Sequence, residues 1–315
     1  MEGTSLKLVF FGSPQEAAGV LSALIDAGHE IPLVVTQPDK AVGRSKMPQP
    51  TPVRKKAELL GVPVATPKEP NGLALLGLLS ALSADAFIVT AYGRILPQAL
   101  LGLAPSGAVN VHPSLLPRHR GPSPVQAAIL EGLPYTGVTI MLLDKGVDTG
   151  PILSRSEPIT IEPDDTGGSL TKRLFDVGSS LLVDTLANLA KGDLKFERQN
   201  ETQATTTRLL QRADGQLDWH AAGDHLSRMI RAYDPWPGTH TTFRGKVLKV
   251  LSVTLTKPTD GPPGYTTVIG DKLVVQAGGG AGLSLDRIQL EGRRPMSGSE
   301  FVRGTRMIDG GQLPS

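Results

Sequence analysis

Short apolar runs alternate along the first half of the chain with longer stretches in which apolar residues recur every three or four positions. Residues 7–11 (KLVFF), 31–36 (IPLVVT), 63–66 (PVAT), 86–92 (AFIVTAY) and 107–112 (GAVNVH) read as strands, and residues 14–27, 51–61, 71–83 and 122–131 as the helices between them. Strands apolar on both faces need cover on both faces, which predicts a parallel sheet sandwiched by helices. The first helix carries start signals: Ser13 as cap, Pro14 in the first turn and Glu16 closing a capping box. Two more strands, 138–144 and 151–159, are joined by a short polar loop. A long helix is predicted over 166–190, because Leu170, Leu174, Val177, Leu181 and Leu189 fall near one face and Gly192 offers a stop.

From residue 193 the pattern changes. Residues 193–207 are polar and rich in Thr and Gln, as a linker is. After a short helix at 221–232 come short strands broken by Gly and Pro turns: THTTFRG, VLKVLSVTLT, TTVIG, KLVVQAG and LSLDRIQL. This is the pattern of a small β-barrel. The expected organisation is an α/β domain over 1–192, a linker over 193–207 and a β-barrel domain over 208–315. A length of 315 residues suits two such domains, and 39% hydrophobic residues suffice for two cores.

Composition narrows the function. The net charge of +2 excludes a polycation. Residues from 208 onward hold 14 Lys/Arg against 10 Asp/Glu, and the rest 18 against 20. That contrast alone is a weak pointer to nucleic acid, because most mixed charge is a solvated face. The absence of cysteine excludes disulfides, thiolate zinc sites and a Cys nucleophile. The six histidines form no HExxH spacing, so no catalytic metal is expected. The turn after the first strand lacks GxGxxG, which argues against a dinucleotide site. No stretch approaches a membrane span and no signal-peptide core precedes the first strand, so a cytoplasmic location is expected.

The stretch GAVNVHPSLLPRHRGPSP, residues 107–124, carries the chemistry. Asn110 and His112 stand two apart on a predicted strand, so their side chains leave one face. They lie at the strand's C-terminal end, where open α/β sheets bind ligands. An amide beside an imidazole can stabilise an oxygen that gains charge and move a proton. DKGVDTGPIL adds Asp144 and Asp148, either of which could orient the ring. Each feature alone is more often structural: Asn-x-His pairs are common, and Asp in Asp-Thr-Gly is usually a turn former. Their joint occurrence, in order, is what carries weight.

NVHPSLLPRHRG, followed by AILEG, TGVTIM and VDTGPIL, closely resembles the folate-dependent formyltransferases. The resemblance implies Asn110, His112 and Asp148 as the catalytic set and 10-formyltetrahydrofolate as formyl donor. It places the folate against Ser114, Leu115, Leu116 and Pro117 and the strand ends from Ala91 to Pro97, including Tyr92, Gly93 and Ile95. Within that family several acceptors are known, and TQPDKAVGRSKMPQPTPVR (36–54) is similar to the loop by which its tRNA-acting members hold the acceptor end. The implied acceptor is therefore initiator methionyl-tRNA, with Lys40, Arg44, Lys46 and Arg54 suited to phosphate contact. IRAYDPWPGTHTTFRGKVLKV and DRIQLEGRRPMSGSEFVRG resemble the family's C-terminal barrel, which implies a Rossmann-like first domain and an OB-like second domain that helps hold the tRNA. The chain is expected to act as a monomer without a membrane partner.

Three residues depart from the family's pattern: Pro113 after the His, Arg94 in AYGRILP and Pro122 in RGPSP. Two other readings compete. One is a formyltransferase for a 4-amino sugar nucleotide, which shares the chemistry but not the 36–54 loop. The other is a non-catalytic RNA-binding module, against which the intact Asn/His/Asp set argues.

Overall fold

The computed structural model describes residues 5–41, 47–69, 72–193, 195–305 and 310–315. Its contacts divide into two compact units. The first holds Met1–Pro124, Tyr135–Ile159 and Thr171–Thr207, and the second Val125–Pro134, Thr160–Leu170 and Arg208–Ser315.

The first unit is built on β1 (Lys7–Gly12), β2 (Glu30–Val35), β3 (Val64–Ala65), β4 (Ala86–Thr90), β5 (Ala108–His112), β6 (Thr139–Leu142) and β7 (Ile152–Arg155). They form one sheet in the order β7-β6-β5-β4-β1-β2-β3. The five strands β3, β2, β1, β4 and β5 are parallel, as expected; β6 and β7 extend the sheet antiparallel. Every residue of β4 and β5 is buried. At about 1.5–3 kcal/mol per buried Val, Leu or Phe, these central strands contribute most of the drive to form the sheet. The order reverses between β1 and β4, so a crevice opens at the C-terminal strand ends, where β5 delivers its last residues.

The helices are α1 (Gln15–Asp26), α2 (Pro52–Leu59), α3 (Leu73–Leu82), α4 (Gln98–Leu101), α5 (Pro124–Leu130), α6 (Gly167–Lys191), α7 (Gly223–Ala232) and α8 (Gly298–Thr305). The long helix ends at Gly192, with φ 74°, as its sequence predicts. Ser13 does not cap α1: Pro14 holds the cap position and makes no side-chain bond. The Ser13 hydroxyl instead donates to the Tyr92 carbonyl at 3.2 Å and accepts from Gln37 N, tying the first loop to the end of β4. Thr51 does cap α2, accepting from Arg54 N. Helix α6 approaches the sheet at Gly178, where a Cβ would stand 2.8 Å from Val111 Cγ1. Only glycine lets the helix lie this close behind β5.

Residues 193–207, expected as a linker, are bound into the first unit wherever they are described. Glu197 exchanges backbone hydrogen bonds with Ile152 at 2.8 and 2.9 Å, and its carboxylate takes a bidentate pair from Arg155. Arg120 exchanges backbone bonds with Thr205 and Thr207. A polar, Thr-rich composition reads as linker from sequence because its backbone partners lie on distant strands.

The second unit carries an antiparallel sheet of β8 (Thr239–Phe243), β9 (Lys246–Thr256), β10 (Tyr265–Ile269), β11 (Lys272–Ala277), β12 (Ala281–Leu290), β13 (Met296–Ser297) and β14 (Gly311–Gln312). The order β8-β9-β12-β11-β10-β14 is an open path, with β13 beside β12, so the expected barrel is a curled half-barrel. Arg244 and Gly245 connect β8 to β9 with φ of 47° and 76°, the backbone of a type I′ hairpin turn. Helix α7 buries Leu226, Met229 and Ile230.

Candidate active site

Strand β5 ends in Asn110, Val111 and His112, with Asn110 opposite Met141 and His112 opposite Thr139 of β6. Val111 turns into the core, and its neighbours face the loop that carries Asp148. The Asp148 carboxylate gathers the cluster. Its Oδ2 accepts from Gly121 N at 2.7 Å and lies 3.5 Å from His112 Nδ1, and its Oδ1 lies 3.5 Å from Asn110 Nδ2. The Asn110 contact is long enough to leave the amide free for a better acceptor. Asp148 is therefore the histidine's neighbour. Asp144 is not: its Oδ1 accepts from Gly146 N and Thr149 Oγ1 and shapes its own turn.

The other ring nitrogen of His112, Nε2, meets the His119 carbonyl at 3.0 Å. A carbonyl only accepts, so Nε2 carries the proton and donates, which leaves the lone pair on Nδ1 facing Asp148. The ring is 3% exposed. Burial pushes its pKa below the ordinary value, and the Asp148 charge and the His119 contact offset this only in part. At so buried a position desolvation outweighs the neighbouring carboxylate, which favours the neutral ring.

The site is built on sparsely populated backbone. His119 and Asp148 have φ of 59° and 53°. Such conformations persist only where surroundings enforce them, and they gather at functional sites. Gly121 has φ 103°, and a Cβ there would stand 2.6 Å from the Thr207 carbonyl, so only glycine can present its N–H to Asp148. Sequence reasoning passed over Gly121, the His119 carbonyl, Arg120 and Gln199. The first three lie within the quoted motif; nothing in the pattern marked Gln199.

The residues expected to hold folate divide. Ser114 and Leu116 are fully covered: the Ser114 hydroxyl donates to Arg118 O, and Leu116 packs with Met141 and Ile152. Tyr92 is buried edge-on against Phe11. These side chains belong to the core. Leu115 and Pro117 are half-buried, and Ile95 is 81% exposed. Ala91 and Gly93, with φ of 46° and 75°, turn the chain at the end of β4. Arg94 donates to the carbonyls of Pro67 and Lys68.

In the 36–54 loop, Lys40 is exposed and contacts Gln37, while Arg44 and Lys46 lie outside the described residues. Arg54 is held between Asp39, at 3.0 Å, and Glu58, at 2.7 Å. It braces the base of the loop through its Nε and Nη1 donors.

Residues 6–186 match the Formyl transferase family, and residues 209–306 match the Formyl transferase, C-terminal domain. The chain belongs to the formyl transferase family. Among its relatives, the methionyl-tRNA formyltransferase of Roseiflexus castenholzii is 43% identical over 312 residues, covering 98% of this chain and 99% of that protein. The methionyl-tRNA formyltransferase of Chloroflexus aggregans is 42% identical over 303 residues, covering 95% of this chain and 97% of its own. Among solved structures, HypX from Aquifex aeolicus in complex with tetrahydrofolic acid superposes with a TM-score of 0.66 at 16% identity, covering 95% of this chain. The chain spans 47% of HypX, and the likeness concerns fold alone. Among the described residues, no helix is long and apolar enough to cross a membrane.

Proposed function

We infer that this formyltransferase moves the formyl group of 10-formyltetrahydrofolate to the amino group of initiator methionyl-tRNA. The observation that carries this reading is similarity along nearly the whole chain to relatives named for that reaction, together with an Asn110–His112–Asp148 cluster at the sheet's open end.

The crevice suits the donor: exposed Ile95 and half-buried Leu115 supply apolar surface, and the strained turn at Ala91 and Gly93 presents backbone polar groups. When bound, the folate supplies an activated formyl carbon. The chain's residues then act on protons and charge. The Asn110 amide donates to the formyl oxygen as it becomes anionic. The neutral His112 accepts the amine's proton at Nδ1, and Asp148, 3.5 Å away, turns from an unfavourable neighbour of a lone pair into the counter-ion of an imidazolium. As the bond from the amine nitrogen to the formyl carbon is completed, the bond to the folate nitrogen breaks, and the ring returns the proton to that leaving nitrogen. No covalent enzyme intermediate is required. The chain's 1–192 portion carries this chemistry, and the 208–315 portion and the loop around Lys40 hold the tRNA.

The test supplies 10-formyltetrahydrofolate with charged initiator tRNA, or with a 4-amino sugar nucleotide, at equal concentration. Formylation of methionyl-tRNA at least 100-fold faster supports the reading. Formylation of the sugar and not the tRNA overturns it.

A further inference from the structure

We propose that Gln199 is a positioning residue for this reaction, holding Asp148 in the backbone conformation that aims its carboxylate at His112. The inference rests on the catalytic reading of Asp148 and His112 given above. Asp148 has a φ of 53°, unusual for a residue with a side chain, and such a conformation persists only where its surroundings enforce it. The Gln199 amide supplies such a restraint. Its Nε2 donates to both the Asp148 and the Gly150 carbonyls, each at 2.8 Å, and so clamps the backbone on both sides of Thr149. Both amide protons are spent on this loop.

The clamp is itself aimed. Arg120 Nε donates to Gln199 Oε1 at 3.0 Å. Arginine has no acceptor, so the atom facing it is the amide oxygen, and the amide nitrogen must face the two carbonyls. Arg120 is held in turn by a bidentate pair with Glu201 at 2.8 Å. A chain of contacts thus runs from Glu201 through Arg120 and Gln199 to Asp148 and His112. Arg120 is buried and Glu201 is 71% exposed, so the chain starts in solvent and ends at the proton carrier. The segment that reads as linker is in this respect part of the site.

The test uses the full chain and compares Gln199→Met, which keeps length and loses both donors, with Gln199→Glu, which turns a carboxylate toward two carbonyls. Activity is taken per mole of folded enzyme, and the His112 titration is followed by NMR. Loosening a catalytic group by about 1 Å costs up to about 100-fold, so both variants should lose about 10- to 100-fold in kcat, with KM for folate and tRNA within about threefold. The His112 pKa should move further down, because the charge that supports its protonated form has drifted; a merely structural role would lower stability and leave that titration in place. Wild-type kcat and an unmoved titration in Gln199→Met overturn the proposal. If Gln199→Met does not fold, Glu201→Gln decides. It should lose about two- to fivefold in kcat with the same downward titration, and wild-type behaviour overturns the relay. Asp148→Asn and His112→Ala are run in parallel. If these keep their turnover, the catalytic reading fails; if they lose it and Gln199→Met does not, only the positioning role fails.

Discussion

Replacing Asp148 with Asn removes one charge and keeps size, and it isolates what that charge does. The Asn oxygen can still accept from Gly121 N, now at 2.7 Å from the carboxylate, so the loop keeps its anchor. What is lost is the counter-ion of a His112 that has taken up the amine's proton. At 3.5 Å and an effective dielectric of about 20, that attraction is about 5 kcal/mol. Both side chains are largely buried, at 4% and 13% exposure, so solvent screens little of it. A transition state in which the proton is half to three-quarters transferred expresses about 2.5–4 kcal/mol, a loss of about 100- to 1,000-fold in kcat. The His112 titration, read by NMR, should move down, because the largest influence raising it is gone and burial remains. The decisive assay is the double-mutant cycle with His112→Ala in kcat/KM. If the carboxylate acts through the ring, the double mutant should be scarcely worse than the poorer single mutant. Fully additive losses with an unmoved titration would refute the coupling.

Further outcomes follow from the same geometry. His112→Ala should fold normally and lose about two to four orders of magnitude in turnover, checked by circular dichroism and single-turnover formylation. Because burial depresses the His112 pKa, the unfolded chain binds a proton that the native ring refuses; stability should therefore fall as pH drops from about 6.5 toward the native value, and His112→Asn should remove that slope in urea melts at several pH values. Gly178→Val should drive α6 against Val111 and Val138 and cost about 1–3 kcal/mol, read as a lower Tm with reduced kcat, since Val111 sits between Asn110 and His112 on β5. If Lys40, Arg44 and Lys46 meet phosphates, KM for tRNA should rise with salt far more than KM for folate, and a triple neutral variant that keeps the wild-type salt slope would count against that role.

The fold was legible wherever burial is two-sided. β1, β4 and β5 announce themselves as near-continuous apolar runs, and the leucines of α6 at helical spacing predict a long helix that ends at Gly192. The chemical pair Asn110 and His112 was legible because both stand on one strand, where a spacing of two decides direction. Asp148 was legible from its own residues only as one of a pair with Asp144, and resemblance chose between them, because its place depends on a loop and a positive φ. Gln199 was illegible: it meets Asp148 across 51 positions of chain, and its own neighbourhood is polar without periodicity. Ser13 was misjudged because the pull of the Tyr92 carbonyl on its hydroxyl is a tertiary contact that local capping rules do not contain.

The division of the chain also bears on how it is made. Helix α5 and the residues after it, up to Pro134, belong to the second unit, yet most of that unit begins only at Arg208. Arg228, which donates to the Leu130 carbonyl at 3.0 Å, lies 98 positions further along. On a ribosome adding about 5–20 residues per second, the Leu130 carbonyl therefore waits on the order of 5–20 seconds for Arg228. In that interval the nascent chain carries the apolar face of α5 before most of its own unit exists, while the first unit is itself complete only at Thr207. Cutting the gene anywhere near residue 192 makes that wait permanent.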